Sequence, residues 1–194
     1  QQHAPWNAVQ FGILYRPMQK VSGDFLNVYK KDQAIFVLLA DVSGHGVPAA
    51  LITMAANDAF AAAIRQSDSP AAVFREVNSQ LSEQIKTQDY LTAFLVRIDE
   101  KLRLTYANAS HQKALHYHRK THTIEAYDTA GLFIGAMSDA TDSYEEKTSR
   151  LEFGDLLVLF TDGITEQANP RGEEFGHNRL QDLILQHNEQ SPQA

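Results

Sequence analysis

A mostly apolar run, Asp24 to Lys31, and a continuous apolar run, Ala34 to Asp41, flank a polar pair, Asp32 and Gln33. That pattern predicts two strands joined by a tight turn. Pairing centred on the turn sets Asp24 opposite Asp41. Side chains alternate faces along a strand, so Asp24 shares its face with Leu26 and Val28, and Asp41 with Ile35, Val37 and Leu39. Both carboxylates then point to an apolar side, with Cβ atoms only ~4.5 to 5.5 Å apart, where like charges repel. A compensating positive charge is expected.

Around this hairpin, Ala8 to Arg16 reads as a first strand, and Gly44 with Gly46 marks a turn. Pro48 to Gln66 is apolar on nearly every side, which predicts a helix buried between layers. Ser69 and Pro70 open a second helix with Val73, Phe74, Val77, Leu81 and Ile85 on one stripe, as a surface helix has. Short strands follow at Leu91 to Asp99, Leu102 to Asn108, Lys113 to His118, Thr123 to Tyr127, near Leu132 to Ala136, Ser143 to Phe153 and Leu156 to Thr161. Residues 177 to 187 carry Leu180, Leu183 and Ile184 at helical spacing. Strand runs linked by tight turns imply antiparallel pairing, so the fold class is α+β, two mainly antiparallel sheets covered by helices.

Composition narrows the function. A length of 194 residues fits one domain, 1–194, and 43% hydrophobic content with 6 prolines excludes disorder. No apolar run approaches the ~18 residues of a membrane span, so a soluble, cytoplasmic protein without membrane contact is expected. Net charge is −7 and no Lys or Arg block is present, so no nucleic-acid partner is expected. The absence of cysteine excludes a thiolate nucleophile, disulfides and cysteine-ligated zinc. Because the chain starts at Gln1, it is expected to be a piece of something longer.

A third aspartate ends another apolar run: Leu156, Val158, Phe160 and Asp162 share one face if the strand is regular. One such residue is ordinarily a strand cap or turn former. Three beside apolar layers are costly without a cation, and oxygen donors alone point to a hard ion, Mg²⁺ or Mn²⁺. Two such ions ~3.5 to 4 Å apart can share a carboxylate, activate a water and clamp a phosphoryl group. His116, His118 and His122 have the look of a zinc cluster, since alternate strand histidines share a face. With no carboxylate or further histidine ligand obvious nearby and a hairpin between them, an ordinary hairpin is the expectation. Asn108, Ser110 and His111 are expected to shape a loop near the site.

The segments "VSGDF" (21 to 25), "DVSGHGVPAALITM" (41 to 54), "YLTAFLVRID" (90 to 99), "LTYANASH" (104 to 111) and "GDLLVLFTDGITEQANPRGEEFG" (154 to 176), with "RL" at 179 to 180, follow one another in an order that resembles the SpoIIE and RsbU branch of the metal-dependent PPM serine/threonine phosphatases. The resemblance covers nearly the whole chain. It implies a four-layer α-β-β-α sandwich with two Mn²⁺ or Mg²⁺ ions at one end of the sheets. Asp41 would bridge both ions, Asp24 and the carbonyl of Val42 would serve one, and Asp162 the other. Arg16, His45 and Gly163 are candidates for contact with substrate phosphate, an ordinary strand-end or loop role being the plainer reading of Arg16 and His45. It further implies metal-activated water attack on a phosphoprotein such as a STAS-type anti-sigma-factor antagonist. The domain would act as the output behind a sensory or receiver domain in the same parent chain, a homodimer being allowed.

The sequence departs from the family pattern in three places. The family's last strand opens on an Asp-Asp pair that completes the second metal site, and "LILQHNEQSPQA" holds none, Asp182 being a poor substitute. Ser110 stands where glycine is usual, and "GLFIG" (131 to 135) lacks the usual proline. An adaptor of the same fold with weak or no catalysis therefore stays open as an alternative, and a hydrolase of small phosphoesters as a third.

Overall fold

The computed structural model describes residues 9–17, 22–44, 46–85 and 89–190. Strands β1 (Phe25–Lys31) and β2 (Ala34–Val42) pair in the predicted register, Phe25 opposite Ala40 and Lys31 opposite Ala34. Asp32 turns the chain in the left-handed region at φ 52°, a conformation that aspartate tolerates better than most side chains. Beyond the end of β1, the Val42 N–H donates to the Gly23 carbonyl at 3.2 Å and carries the ladder one pair further. Asp24 is thereby held opposite Asp41.

Helices α1 (Val47–Gln66) and α2 (Pro70–Gln84) follow, then β3 (Leu91–Asp99), β4 (Arg103–Ala109), β5 (Ala114–His118), β6 (Thr123–Tyr127), a 3-10 helix (Ser138–Ser143), β7 (Lys147–Arg150), β8 (Leu156–Val158), α3 (Asp162–Thr165) and α4 (Gly176–His187). One sheet has the order β1-β2-β3-β4-β7 and the other β6-β5-β8, with antiparallel neighbours throughout. Alternation along β2 divides the core. Phe36, Leu38 and Ala40 face Phe60, Phe74 and Val77 of the helices. Ile35 and Val37, with Val96, Ile98 and Tyr106 of the same sheet, face the second sheet and pack with its Tyr127. The outer face of that sheet, Leu115 and Tyr117, packs with Phe160 on Ile184 of α4. The layers are α-β-β-α.

Several expected elements are shorter or absent. Val9 to Arg16 forms no strand, Ala8 lying outside the described residues; Val9 and Phe11 pack against the inter-sheet core without joining a ladder. Residues 132–136 contribute a single bridge, Ile134 to Leu91. The expected strand Ser143 to Phe153 reduces to Lys147–Arg150, and Leu156 to Thr161 to Leu156–Val158. Helix α1 is not buried all round, since Val47, Leu51 and Met54 are 68%, 62% and 68% exposed. By length and composition it is apolar enough to cross a membrane. Its Ala49, Ala56, Phe60, Ala63 and Ile64 are instead buried in the core.

Candidate active site

The aspartates singled out by the sequence come together from separate elements. Asp41 lies one residue before the end of β2, Asp24 one residue before β1, and Asp162 is the first residue of α3. All are partly buried. Burial, then the charges of Asp24 and Asp162, push the Asp41 carboxyl up to about 7. Burial and then Asp162 raise Asp24 as well, with the Thr161 hydroxyl pulling the other way through a hydrogen bond. Asp24 Oδ1 is buried with no hydrogen-bond partner.

Asp162 arrives by a different route from the expected one. Leu156, Val158 and Phe160 do share a face, but it is the outer one, packed on α4 with Leu180 and Ile184. Leu157 and Leu159 face the other sheet. Regular extension would send Asp162 outward with Phe160. The chain instead stays extended only to Thr161 (φ −94°, ψ 166°) and turns into α3, which swings Asp162 toward Asp24 and Asp41.

Gly23 shows how tightly this corner is built. A Cβ there would stand 2.5 Å from the Val42 carbonyl oxygen and 3.3 Å from Asp41 Oδ1, so only glycine fits. The Val42 carbonyl oxygen and Asp41 Oδ1 thus both border Gly23. Gly163 carries no such constraint, for its Cβ would meet only Thr161 Oγ1 at 3.8 Å. A cavity of about 940 Å³ opens beside Asp24 and is lined by Arg16, Thr161, Gly163, Asn169 and Arg179 among others. Arg16 is exposed at its wall and not at the end of a strand. His45 lies outside the described residues.

The loop after β4 is shaped as expected. The Asn108 side chain accepts from the His111 N–H at 2.8 Å and donates to the His111 carbonyl at 3.0 Å. Ser110 sits at φ 54°, the left-handed region that explains a family preference for glycine, and its hydroxyl donates to the Gly131 carbonyl at 2.9 Å. What the sequence reading passed over is the His111 ring. Its Nδ1 pairs with Thr92 Oγ1 at 2.7 Å, and its Nε2 is buried without a hydrogen-bond partner. Burial holds its pKa down to about 4, against the opposing influence of Asp162 and the Phe160 carbonyl. Thr161 was likewise missed; a "TD" after an apolar run is its only sequence signal.

The donor set fits divalent cations. Asp24, Asp41 and Asp162 take part in none of the ion pairs among the described residues. Their mutual repulsion and the unpartnered Asp24 oxygen leave room for positive charge, and every donor is oxygen. Asp182 is exposed on α4 and offers no substitute for a further ligand.

At the other end of β8 the histidines behave differently from expectation. His116 and His118 do share a face, with ring centroids 3.9 Å apart. A carboxylate is present after all: Asp155 Oδ2 lies 2.9 Å from His116 Nε2. Sequence distance hid it, because Asp155 precedes the strand that pairs with β5. His122 is elsewhere, its Nδ1 bonded to the Tyr117 hydroxyl at 2.9 Å.

The two packed sheets with helices outside and an aspartate cluster at one end define the PPM, or PP2C-like, phosphatase fold. The profile described as Stage II sporulation protein E (SpoIIE) matches residues 31–194, and the chain belongs to that family. Phosphoserine phosphatase RsbU of Bacillus subtilis (strain 168) is 30% identical over 181 residues, covering 93% of this chain and 53% of that protein. Phosphoserine phosphatase RsbP of the same organism is 31% identical over 166 residues, covering 81% and 40%. The chain thus spans about half the length of these curated relatives. Among solved structures, the SiaA-PP2C domain of Pseudomonas aeruginosa superposes with a TM-score of 0.82 at 28% identity, covering 92% of this chain and 72% of that one. The RsbU and RsbW domains of Rv1364c from Mycobacterium tuberculosis share the fold with a TM-score of 0.76 at 19% identity, covering 90% and 48%.

Proposed function

We propose that this chain is the catalytic domain of a bacterial metal-dependent phosphoserine or phosphothreonine protein phosphatase. Asp24, Asp41, Asp162 and the Val42 carbonyl would hold two divalent ions at this corner of the sandwich. Two Mn²⁺ or Mg²⁺ ions so held supply charge for the phosphate oxygens and acidity for a neighbouring water. The chain's own groups do the rest. Thr161 fixes Asp24 through its hydroxyl. His111, neutral and anchored by Thr92, stands within the field of Asp162. Arg16 reaches from the cavity wall for a phosphate, which guanidinium binds in bidentate fashion.

The observation that carries this reading is the convergence of Asp24, Asp41 and Asp162 from three elements, with Asp24 Oδ1 buried and unpartnered and none of the three in an ion pair among the described residues. The names of RsbU and RsbP support phosphoserine as the substrate group. By the family resemblance, the substrate is a STAS-type antagonist of an anti-sigma factor in the cytoplasm, and a sensory or receiver domain lies upstream in the same parent chain. The test is phosphate release from a phosphoserine protein with Mn²⁺. Turnover is expected with the wild-type chain and not with Asp41→Asn. No release by the wild type, together with equal Mn²⁺ binding by Asp41→Asn, overturns the reading in favour of an adaptor.

A further inference from the structure

We propose that His116, His118 and Asp155 form a second cation site, suited to Zn²⁺ and separate from the aspartate cluster. One ligand atom from each residue lies within 4.8 Å of the others. His116 is fully buried, the Asp155 side chain is 4% exposed, and the His118 side chain, 31% exposed, closes the outer side. Two imidazole nitrogens and one carboxylate oxygen favour zinc over the hard ions that oxygen-only sites take.

The site is built in two shells. His116 and His118 alternate along β5 and so share a face, and the antiparallel register that sets Leu156 opposite Tyr117 brings Asp155 beside them. The Asp155 carboxylate is already oriented. Its Oδ1 accepts from the Arg119 N–H at 3.0 Å, and its Oδ2 from the Glu152 N–H at 2.9 Å. His116 is fixed from behind, since Nδ1 meets the Tyr127 hydroxyl at 2.5 Å, and that hydroxyl meets Ser149 Oγ at 2.6 Å. Metal-ligating histidines are held in this way through the nitrogen that does not touch the metal. Glu125, whose Oε2 is 3.1 Å from His118 Nε2, stands on the exposed side as an orienting acceptor or a fourth ligand.

The proton count closes without a partner. With Asp155 ionised, His116 Nε2–H donates to it, so Nδ1 accepts from Tyr127 and Tyr127 accepts from Ser149. When an ion takes Nε2, the ring proton moves to Nδ1 and donates to the Tyr127 oxygen, and the Tyr127 hydroxyl turns to donate to Ser149. Each hydrogen bond behind the ring survives with its direction reversed. The aspartate cluster is not involved. Residues 155 to 162 run from one site to the other, roughly 20 Å at ~3.3 Å per residue.

The experiment is calorimetric titration of the chelator-stripped chain with ZnCl₂ in excess Mg²⁺, using the wild type, Asp41→Asn, His118→Ala and Asp155→Asn. One equivalent of Zn²⁺ is expected in the wild type and in Asp41→Asn. Affinity should fall at least ~10-fold in His118→Ala and in Asp155→Asn, both of which keep the buried His116. Nitrogen-detected NMR should show the His116 ring proton moving from Nε2 to Nδ1 on zinc addition. Unchanged zinc affinity in His118→Ala or Asp155→Asn, or an unchanged His116 tautomer in the zinc-saturated wild type, overturns the proposal.

Discussion

Asp41 and Asp155 are the same residue type at opposite ends of one sandwich, and both lose water on folding. Burial raises both. At Asp155 the N–H groups of Glu152 and Arg119 and the ring of His116 more than offset it, and the carboxyl falls below its ordinary value. At Asp41 burial is reinforced by Asp24 and Asp162, and the carboxyl climbs to about 7. The chain supplies donors to one carboxylate and further carboxylates to the other. Burial alone therefore says little about what an acidic residue does; what distinguishes the two is whether the fold completes its hydrogen bonding. Asp155 is complete with a proton shared toward His116. Asp41 is left among like charges.

The comparison is broken most directly at Asp41. Asp41→Asn should lower Mn²⁺-dependent turnover by more than the ~10- to 100-fold typical of residues that merely support a metal ligand. The melting temperature without metal should stay the same or rise, because a repelled carboxylate has gone. Next in size is Gly23→Ala, whose Cβ would meet the Val42 carbonyl oxygen at 2.5 Å. A backbone atom cannot step aside cheaply, so urea unfolding should show a loss of about 3 kcal/mol, the upper end of ordinary single substitutions. Asp155→Asn should behave in the opposite sense to Asp41→Asn. It weakens a buried network for about 2 kcal/mol of stability by the same measurement, and leaves turnover within a few-fold of wild type. Equal stability losses in the two aspartate variants would refute the contrast.

How much of this was legible in the sequence depended on distance along the chain. The β1–β2 register follows from one polar turn, and that register alone sets Asp24 against Asp41. Helix α2 was marked by Ser69, whose hydroxyl accepts from Ala72 N–H, and by Pro70 in the first turn. A ligand role for Val42 came only from the family resemblance. The face of Asp162 was misread because alternation holds only while the strand lasts, and this one gives way to α3. The Val9 to Arg16 stretch has strand-like residues, but a strand exists only where a neighbour takes its hydrogen bonds. Asp155 was invisible beside His116 because 39 residues separate them, and no local pattern reports a contact made by sheet pairing.

The smallest effect is also the sharpest, since the two sites should give opposite pH slopes in protein stripped of divalent ions. A carboxyl raised from 3.8 to about 7 keeps its proton in the folded chain after the unfolded chain has released it. Stability then falls as pH rises from about 4 to 7. His116 is lowered from 6.5, chiefly by burial and against the pull of Asp155, so below that value the unfolded chain takes up a proton that the folded one refuses. Stability then falls as pH drops below about 6.5. Thermal melts between pH 4.5 and 8 in chelator should separate the two by variant, with differences of a few degrees. Asp41→Asn should remove much of the loss toward higher pH, and His116→Gln the loss toward lower pH, while added Mn²⁺ should offset only the first by discharging the repulsion around Asp41. A wild-type alkaline slope that survives Asp41→Asn unchanged would mean that the strained carboxylate lies elsewhere in the fold.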